Sequence, residues 1–326
     1  MYRISLINMP FTALELPAIG LMQLQTRLEE TFGERVKVDV LYVNHDFAHY
    51  LGLKAHAMIM DGMEHHNTGL RDWFFRQAAF PHLEDNTEAY FRRYYPQLRN
   101  DQMYRLFIRE KRRGLDAFLD ETIRKYELDR ADLVGFTSMF SQNVPSMALA
   151  RKLKERNPSA PVVMGGANCE SPMGQEIVKH VDYVDFVFSG PALLSFPEFV
   201  GHQMAGEPEK CHRINGVFSR ANVAAPAPMA ALGDFKQHKI IGDELDIDTP
   251  IPLDYGPFLD NVERSFPRQE VRPTLLFETS RGCWWGEKAH CTFCGLNGST
   301  INYRSMRPEV AFKVFNDLFV PRTWGA

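Results

Sequence analysis

Apart from one long interruption, short apolar runs alternate with amphipathic stretches through the first 190 residues of the chain. Runs typical of buried strands occur at residues 4–8, 36–43, 133–137, 161–165 and 183–188. Apolar positions at helical spacing occur in residues 17–32, 144–156 and 172–180. Because strands that alternate with helices connect through right-handed crossovers, the pattern predicts a parallel α/β sheet with both faces covered.

The interruption covers residues 45–130, between the second and third predicted strands. Plain crossovers are much shorter. The segment is rich in Arg, Glu, Phe and Tyr, and stretches such as 110–125 favour helix, so we predict a helical insertion. Such an insertion would act as a lid or packing subdomain, or it would contact a substrate.

The alternation ends near residue 216. Residues 224–232 are rich in Ala and Pro, and residues 250–258 are extended and punctuated by Pro, so we interpret 216–270 as a linker. A further strand is predicted at 274–279 and a helix at 308–319. We therefore expect one α/β domain over 1–215 and a second domain that begins at 271 and extends to 326.

Composition narrows the functional classes. The net charge of −4 gives no general attraction to nucleic acid or to anionic membranes. Residues 1–11 lack the features of a signal peptide, and no apolar stretch reaches the ~18–20 residues of a transmembrane helix. The chain is therefore expected in the cytoplasm, with neither nucleic acid nor membrane as a partner.

Three of the five cysteines, Cys283, Cys291 and Cys294, fall in one stretch with the spacing Cys-x7-Cys-x2-Cys. In a reducing compartment such a cluster favours a metal site over disulfides, and thiolates suit iron–sulfur clusters, zinc or Cu(I). A cubane cluster held by three thiolates would leave one iron open for another ligand. Cys169 and Cys211 stand alone, which is typical of small buried hydrophobic residues.

Zinc is the alternative, because His290 would complete a Cys3His set. Against zinc, His290 and Cys291 are neighbours, and the chain has no second Cys-x2-Cys pair. Glycines at 282, 286 and 295 would let the backbone wrap closely around a bulky cluster. Phe293 would shield a cluster or pack on an adenine ring.

The cysteine stretch resembles the cluster-binding loop of the cobalamin-dependent radical S-adenosylmethionine (SAM) enzymes, and within them the branch that matures ribosomally synthesised peptides (RiPPs). Most of that superfamily uses Cys-x3-Cys-x2-Cys, so this chain has four extra residues in the first gap. The resemblance is carried by Phe277-Glu278-Thr279-Ser280-Arg281-Gly282, Trp284-Trp285-Gly286, Cys291-Thr292-Phe293-Cys294 and Gly295-Leu296-Asn297. It implies that Cys283, Cys291 and Cys294 ligate three irons of a 4Fe–4S cluster, and that SAM chelates the fourth iron.

The first domain resembles the cobalamin-binding domain of the same family. Ser138-Met139-Phe140 after the third strand and Gly165-Gly166 at the end of the fourth are similar to the family's Ser-x-Leu and Gly-Gly pair, whose small residues admit the nucleotide tail of cobalamin. By this resemblance, side chains of Thr137, Ser138, Ser141 and Gln142 would hydrogen-bond cobalamin.

The chain departs from the family in two places. The Asp-x-His-x-x-Gly signature is absent, and Gly190-Pro191 replaces the usual Gly-Glu. The implied fold is a Rossmann-like, doubly wound cobalamin-binding domain with a helical insertion, followed by the start of a radical SAM partial (β/α) barrel.

The resemblance also implies a reaction. Reductive cleavage of SAM would give a 5′-deoxyadenosyl radical, which removes hydrogen from an unactivated carbon, and methylcobalamin would then supply a methyl group. The expected enzyme is a C-methyltransferase acting on a precursor peptide, with an electron donor such as flavodoxin or ferredoxin. We expect the chain to end early in the barrel, as a truncated product, a split gene or a frameshift would. The alternative is a non-catalytic cobalamin-binding module with a remnant iron–sulfur loop.

Overall fold

The predicted apolar runs form the strands of one six-stranded sheet. The computed structural model describes residues 1–62, 65, 67–96, 102–223, 240–292, 294 and 301–319. The sheet has the order β2-β1-β3-β4-β5-β6, with β1 to β5 parallel and β6 antiparallel at the edge. Its strands are β1 (Tyr2–Asn8), β2 (Val36–Tyr42), β3 (Leu133–Thr137), β4 (Val162–Gly165), β5 (Phe186–Phe188) and β6 (Val217–Ser219).

Strand order reverses between β1 and β3, which lie side by side with β2 on the far side of β1. In open α/β sheets a ligand binds beyond the carboxyl ends of the strands at such a reversal. Pairing places Asn8 opposite both Tyr42 and Thr137, and Thr137 opposite Gly165, so these four residues form a row at the carboxyl end of the sheet.

Helices cover both faces of the sheet. On one face, Ile4 and Leu6 pack with Leu21 and Leu28 of the first helix. On the other face, Ile7 packs with the helical insertion and with the helix after β3. The helices up to β6 are α1 (Ile19–Phe32), α2 (Val43–Leu51), α3 (Leu53–Asp61), α4 (Leu70–Ala79), α5 (Thr87–Tyr94), α6 (Gln102–Arg113), α7 (Leu115–Tyr126), α8 (Asn143–Arg156), α9 (Met173–His180), α10 (Ser195–Met204) and α11 (Pro208–Cys211).

The insertion is helical from α2 to α7 in the residues that the structure describes, as predicted. The stretch 110–125, which favours helix, is helical apart from Gly114, where α6 ends before α7 begins. A Cβ at Gly114 would lie 2.4 Å from the hydroxyl oxygen of Tyr50 on α2, so that side chain would have to move to admit a larger residue.

The segment interpreted as a linker contains regular structure. It contributes β6, which extends the sheet beyond residue 215, together with α12 (Arg220–Val223) and α13 (Gly256–Ser265). Residues 224–232, predicted to be linker, lie outside the described residues. Phe258 and Val262 of α13 pack against Tyr42, at the end of β2.

The prediction of a strand at 274–279 is wrong, because these residues join no sheet among the described residues. Their backbone groups contact the first domain and α13 instead. The Thr274 N–H donates to the Glu15 carbonyl at 2.8 Å, and the Tyr255 hydroxyl donates to the Leu276 carbonyl. The strands of this part are β7 (Ser280–Arg281) and β8 (Arg304–Ser305), and α14 (Pro308–Phe319) follows as predicted.

None of the helices within the described residues has both the length and the apolar character that a membrane crossing requires.

Candidate functional site

Two cavities lie at the carboxyl end of the sheet, at the reversal between β1 and β3. We call them the inner cavity, of about 270 Å³, and the edge cavity, of about 620 Å³. Both are lined by Gly20, Leu21 and Thr137, so they adjoin at the start of α1 and the end of β3. The position is the one that the topology of a doubly wound sheet assigns to a ligand.

The inner cavity lies between α1 and the sheet, and its lining is largely apolar. Five glycines line it, so backbone rather than side chains faces much of the space: Gly20, Gly135, Gly165, Gly166 and Gly190. The apolar side chains around it are Leu6, Leu21, Leu24, Phe136, Val163, Met164, Phe188, Pro191, Ala192, Leu193 and Phe196. A slot of this kind suits an apolar ring better than a charged group.

The edge cavity is more polar. Part of its wall is the loop between β1 and α1, and side chains from other elements fix that loop. The Gln142 amide donates to the Asn8 Oδ1 at 2.9 Å and to the Met9 carbonyl at 2.7 Å. The Asn44 amide donates to the Ala13 carbonyl at 3.4 Å. The loop is therefore held in shape by the protein itself.

The structure separates the predicted cobalamin contacts into two groups. Thr137 lines both cavities, and Gly165 and Gly166 line the inner cavity. Ser138 is fully buried, and its hydroxyl donates to the Asn143 Oδ1 at 2.6 Å. Ser141 is half-buried and is not among the described residues that line either cavity.

Two of the predicted residues have internal structural roles. Gln142 lines the edge cavity, but its amide nitrogen is occupied by Asn8 and Met9, and its Oε1 accepts from the Met139 N–H at 3.1 Å. Gly166 has a φ of +103°, and a Cβ there would lie 2.5 Å from the Ser138 carbonyl oxygen. Glycine is thus required at 166 by the backbone after β3, whatever the cavity holds.

Sequence reasoning missed several lining residues. Gly135 lies inside the apolar strand β3, where a Cβ would lie 3.0 Å from the Leu6 Cδ2. A glycine within a strand marks a close approach, and that signal was available in the sequence. Gly20, Gln23 and Arg281 carry no such signal, because only the tertiary packing brings them to the cavity.

Two buried histidines lie near the edge cavity. His45 bonds through Nε2 to the Leu14 carbonyl at 2.9 Å, and its Nδ1 accepts from the Asn261 amide at 2.7 Å. Burial lowers the pKa of His45 to about 4. Burial also lowers the pKa of His56 to about 4, and its Nε2 has no hydrogen-bond partner in the described part of the chain. Both rings are therefore neutral at physiological pH.

The cysteine loop, residues 282–303, is closed at its base by β7 and β8. Ser280 pairs with Ser305 and Arg281 with Arg304, and the Cys283 N–H donates to the Ile301 carbonyl at 3.0 Å. Gly282 has a φ of +78°, and a Cβ there would lie 2.1 Å from the Asn302 carbonyl oxygen. Only glycine fits at this point of closure.

The first gap of the motif forms a turn. The Glu287 N–H donates to the Cys283 carbonyl at 2.9 Å, and the Ala289 N–H donates to the Trp285 carbonyl at 2.8 Å. The Gly286 N–H lies 3.3 Å from the Cys283 sulfur, in position to donate to a thiolate. Such bonds stabilise a deprotonated cysteine ligand.

All three motif cysteines are half-buried. Across the described residues, no three His, Cys, Asp or Glu side chains are grouped closely enough to hold a metal ion. Phe293 and Gly295-Leu296-Asn297 lie outside the described residues. The match to an iron–sulfur cluster therefore rests on the donor set, three thiols in one glycine-closed loop. His290 is exposed in the same loop.

Side chains connect the cysteine loop to the inner cavity. The Arg281 guanidinium donates from Nε and Nη2 to the two Glu278 carboxylate oxygens, at 2.9 and 2.7 Å. The Gln23 amide, on α1, donates to the same carboxylate at 3.2 Å. Arg281 and Gln23 both line the inner cavity, so the base of the loop adjoins it directly.

The sequence comparisons match roughly half of the chain. A stretch of 156 residues, 48% of the chain, is 28% identical to 2-(S-pantetheinyl)-carbapenam-3-carboxylate methyltransferase from Streptantibioticus cattleyicolor. Over the same length it is 27% identical to the cobalamin-dependent radical SAM methyltransferase TokK from Streptomyces tokunonensis. In each case the match covers 21% of the relative, so the chain spans about a fifth of the length of these proteins. No protein-family model matches the chain.

The fold has a counterpart among solved structures. The cobalamin-dependent S-adenosylmethionine radical enzyme OxsB, with aqua-cobalamin and S-adenosylmethionine bound, aligns with 97% of this chain and 31% of its own. The TM-score is 0.51 and the sequence identity 12%, so the likeness concerns the fold. It confirms the predicted fold class, a Rossmann-like α/β domain with a doubly wound, mostly parallel sheet and a helical insertion.

Proposed function

We propose that this chain provides the cobalamin site and the cluster-binding loop of a radical SAM C-methyltransferase that acts on a ribosomally synthesised peptide. The observation that carries the proposal is a juxtaposition. A largely apolar cavity at the carboxyl end of a doubly wound sheet adjoins, through Gln23 and Arg281, the base of a loop with three cysteines. The relatives, both methyltransferases, support the general kind of reaction.

The two cavities divide the proposed cobalamin site. The inner cavity would take the apolar base of the nucleotide tail, against Gly135, Gly165 and the apolar face of α1. The edge cavity would take the corrin ring, against Thr137 and the loop between β1 and α1. The protein would bind and orient cobalamin and would exclude water from the site.

Cys283, Cys291 and Cys294 would hold three irons of a 4Fe–4S cluster. When bound, the cluster and cobalamin would supply the electron and the methyl group that side chains lack. The Gly286 N–H would steady the Cys283 thiolate, and Gly282 keeps the two ends of the loop in contact. Trp284 and Trp285 extend from the loop and are more than half exposed, so they would shield the cluster or contact a substrate.

The identity of the substrate as a peptide is the more specific part of the proposal. It rests on the resemblance carried by Trp284-Trp285-Gly286 and the residues around the cysteines. One relative is named for a carbapenam substrate, a small molecule, so the substrate needs a test separate from that of the cofactors. A flavodoxin or ferredoxin is the proposed electron donor.

A non-catalytic cobalamin-binding module is the second candidate. It is favoured by the contrast between cavities that are already formed and three thiols that are not grouped in the described residues. In that case the chain would bind cobalamin, and the cysteine loop would be a remnant.

Anaerobic reconstitution with iron, sulfide and hydroxocobalamin distinguishes the two. The enzyme is expected to hold cobalt, to contain about four iron atoms per chain, and to form 5′-deoxyadenosine when reduced with SAM. A variant with Cys283, Cys291 and Cys294 changed to Ala is the control and should keep the cobalt alone. Cobalt without iron or nucleoside in the wild-type chain would favour the module. Stoichiometric zinc in place of iron would contradict the cluster.

A further inference from the structure

The residues that join the inner cavity to the cysteine loop form a continuous network. We call it the clasp and define it as Gln23, Glu244, Glu278, Arg281 and Arg304. Gln23 comes from α1, Arg281 from β7 and Arg304 from β8. The clasp therefore links the first domain to both strands at the base of the loop.

Glu278 is the acceptor at one end of the clasp. It receives a two-pronged interaction from Arg281, at 2.9 and 2.7 Å, and a further bond from Gln23 at 3.2 Å. Two-pronged pairs of arginine and carboxylate fix orientation as well as distance. The Arg281 side chain is 17% exposed, which limits screening by solvent.

Glu244 is the acceptor at the other end. Its carboxylate lies 2.6 Å from the Arg304 Nη2 and 3.6 Å from the Arg281 Nη1, and that Arg281 nitrogen also donates to the Leu245 carbonyl at 3.1 Å. A shift of Arg281 would thus alter the contacts of both loop strands.

The backbone connects Arg281 to the first cysteine through a single residue. Gly282 follows Arg281 and packs against the Asn302 carbonyl so closely that no Cβ fits. The next residue, Cys283, donates its N–H to Ile301 at 3.0 Å.

We propose that the clasp couples the inner cavity to the cysteine loop, so that an aromatic ring filling the cavity holds Cys283 in place. This inference rests on the proposed function, because the ring would be the nucleotide base of cobalamin. Gln23, Glu278 and Arg281 are positioning residues in this scheme. Coupling between two sites is reciprocal, so a loop that has bound its metal tightens cobalamin binding by the same factor.

Hydrogen exchange of the whole chain tests the coupling, read at the backbone amide of Cys283. The probes are hydroxocobalamin, cobinamide, which has the corrin ring but no nucleotide, and the nucleoside of 5,6-dimethylbenzimidazole alone. We expect hydroxocobalamin and the nucleoside to slow exchange about tenfold, and cobinamide to leave it unchanged.

Two variants separate coupling from binding. Gln23→Leu removes the α1 end of the clasp, and Glu278→Gln removes its charge. Glu278 does not line the inner cavity, so Glu278→Gln should bind hydroxocobalamin normally but should no longer slow exchange at Cys283. Gln23 lines the cavity, so Gln23→Leu is compared at a hydroxocobalamin concentration that saturates it, and it too should no longer slow exchange. Gln25→Leu is the matched control on α1, because its amide bonds to Glu29 and to the Val38 carbonyl rather than to the clasp. It should behave as the wild type.

Several outcomes overturn the coupling. Cobalamin that binds without slowing exchange at Cys283, protection by cobinamide equal to that by cobalamin, or full protection in both variants would each do so. A chain that binds no corrinoid, yet is protected by the nucleoside, would contradict the proposed function and leave the clasp standing. A chain that responds to none of the probes contradicts both.

Discussion

The sheet and the cysteine loop hold their ligand-facing groups in different ways. Around the inner cavity, Leu6, Val163 and Phe196 are core residues, each at most 3% exposed, on elements that pack across the whole domain. The cysteine loop is closed by two strands of two residues each, and Trp284 and Trp285 beside its first cysteine are 57% and 52% exposed. A cavity walled by a close-packed core keeps its shape without a ligand.

The contrast teaches where each site obtains its geometry. The space in the cavities exists because glycines lack side chains there and the surrounding core packs around them, so the cavities form when the sheet folds. Among its described residues, the loop is tied at its base by β7, β8 and the clasp, so we expect the spacing of its thiols to depend on these contacts and on the metal proposed to bind them. Metal binding and local folding are commonly coupled in this way.

The largest expected effect concerns the loop. Changing Cys283, Cys291 or Cys294 singly to Ser should lower the iron content from about four atoms per chain to fewer than about one, because a thiolate ligand is lost. Cobalt content at saturating hydroxocobalamin should not change, although the affinity should fall by the coupling factor. Cys211→Ala is the control, since Cys211 is buried in the core beside α10. Iron retained by all three variants would rule out this loop as the cluster site.

Acid should destabilise the sheet domain through its buried histidines. The folded pKa of His56 is about 4, below the ordinary value of about 6.5, so its contribution is fully present above pH 6.5 and is lost as the pH falls toward 4. The loss is about 3 kcal/mol at most. Urea unfolding between pH 7 and 4.5 measures it, and His56→Phe should flatten the curve. The exposed His180 changed to Phe should not, and equal slopes in both variants would contradict the assignment.

Two glycines with positive φ sharpen the comparison between sheet and loop. Gly166→Ala should lower the free energy of unfolding by about 2 kcal/mol, because its Cβ meets the Ser138 carbonyl inside the domain. Gly282→Ala should leave the free energy of global unfolding unchanged. It should speed hydrogen exchange at the backbone amide of Cys283, because the loop would open at its base. Gly206→Ala, with a φ of +70° but open space around it, is the control for φ strain alone. If Gly166→Ala and Gly206→Ala lowered the free energy of unfolding by similar amounts, the contact with Ser138 would not be the cause.

The smallest effect tests the cavities themselves. Gly20 has open space around it on α1 and lines both cavities. Gly20→Leu should weaken hydroxocobalamin binding about tenfold, a cost of about 1.4 kcal/mol from overfilling. Gly20→Ala is the matched control, since it improves helix propensity while adding one methyl group. Absorbance titration gives both affinities, and tight binding by the Leu variant would place cobalamin elsewhere.

Sequence patterns were most informative where neighbours along the chain decide the structure. The strand predicted at 133–137 matches β3 at both ends, because an apolar run with polar flanks needs no distant information. The stretch 110–125 is interrupted at Gly114, which lies beside Tyr50, and periodicity does not reveal a neighbour so far away in the sequence. The strand at 274–279 was wrong because strand formation needs a pairing partner, which periodicity does not reveal.

Predictions about the functional site from the sequence have the same limit. The sequence placed Thr137, Gly165 and Gly166 at the carboxyl end of the sheet, and the structure puts all three on the inner cavity. It did not indicate that Ser138 and Gln142 use their polar groups within the protein. It could not reveal the clasp, in which the bonded residues Gln23 and Glu278 lie 255 positions apart along the chain.

The turn between Cys283 and Cys291 has a consequence for how such motifs vary. Its hydrogen bonds begin and end within the gap, from Glu287 to Cys283 and from Ala289 to Trp285. Gly286 packs against the Ile301 side chain, but residues 287–290 are exposed. Residues inserted after Gly286 would lengthen the exposed part of the turn and leave the contact between Gly282 and Asn302 unchanged. We therefore expect the interval between the first and second cysteines to tolerate changes in length. A sequence search that requires one fixed spacing would miss a chain like this one.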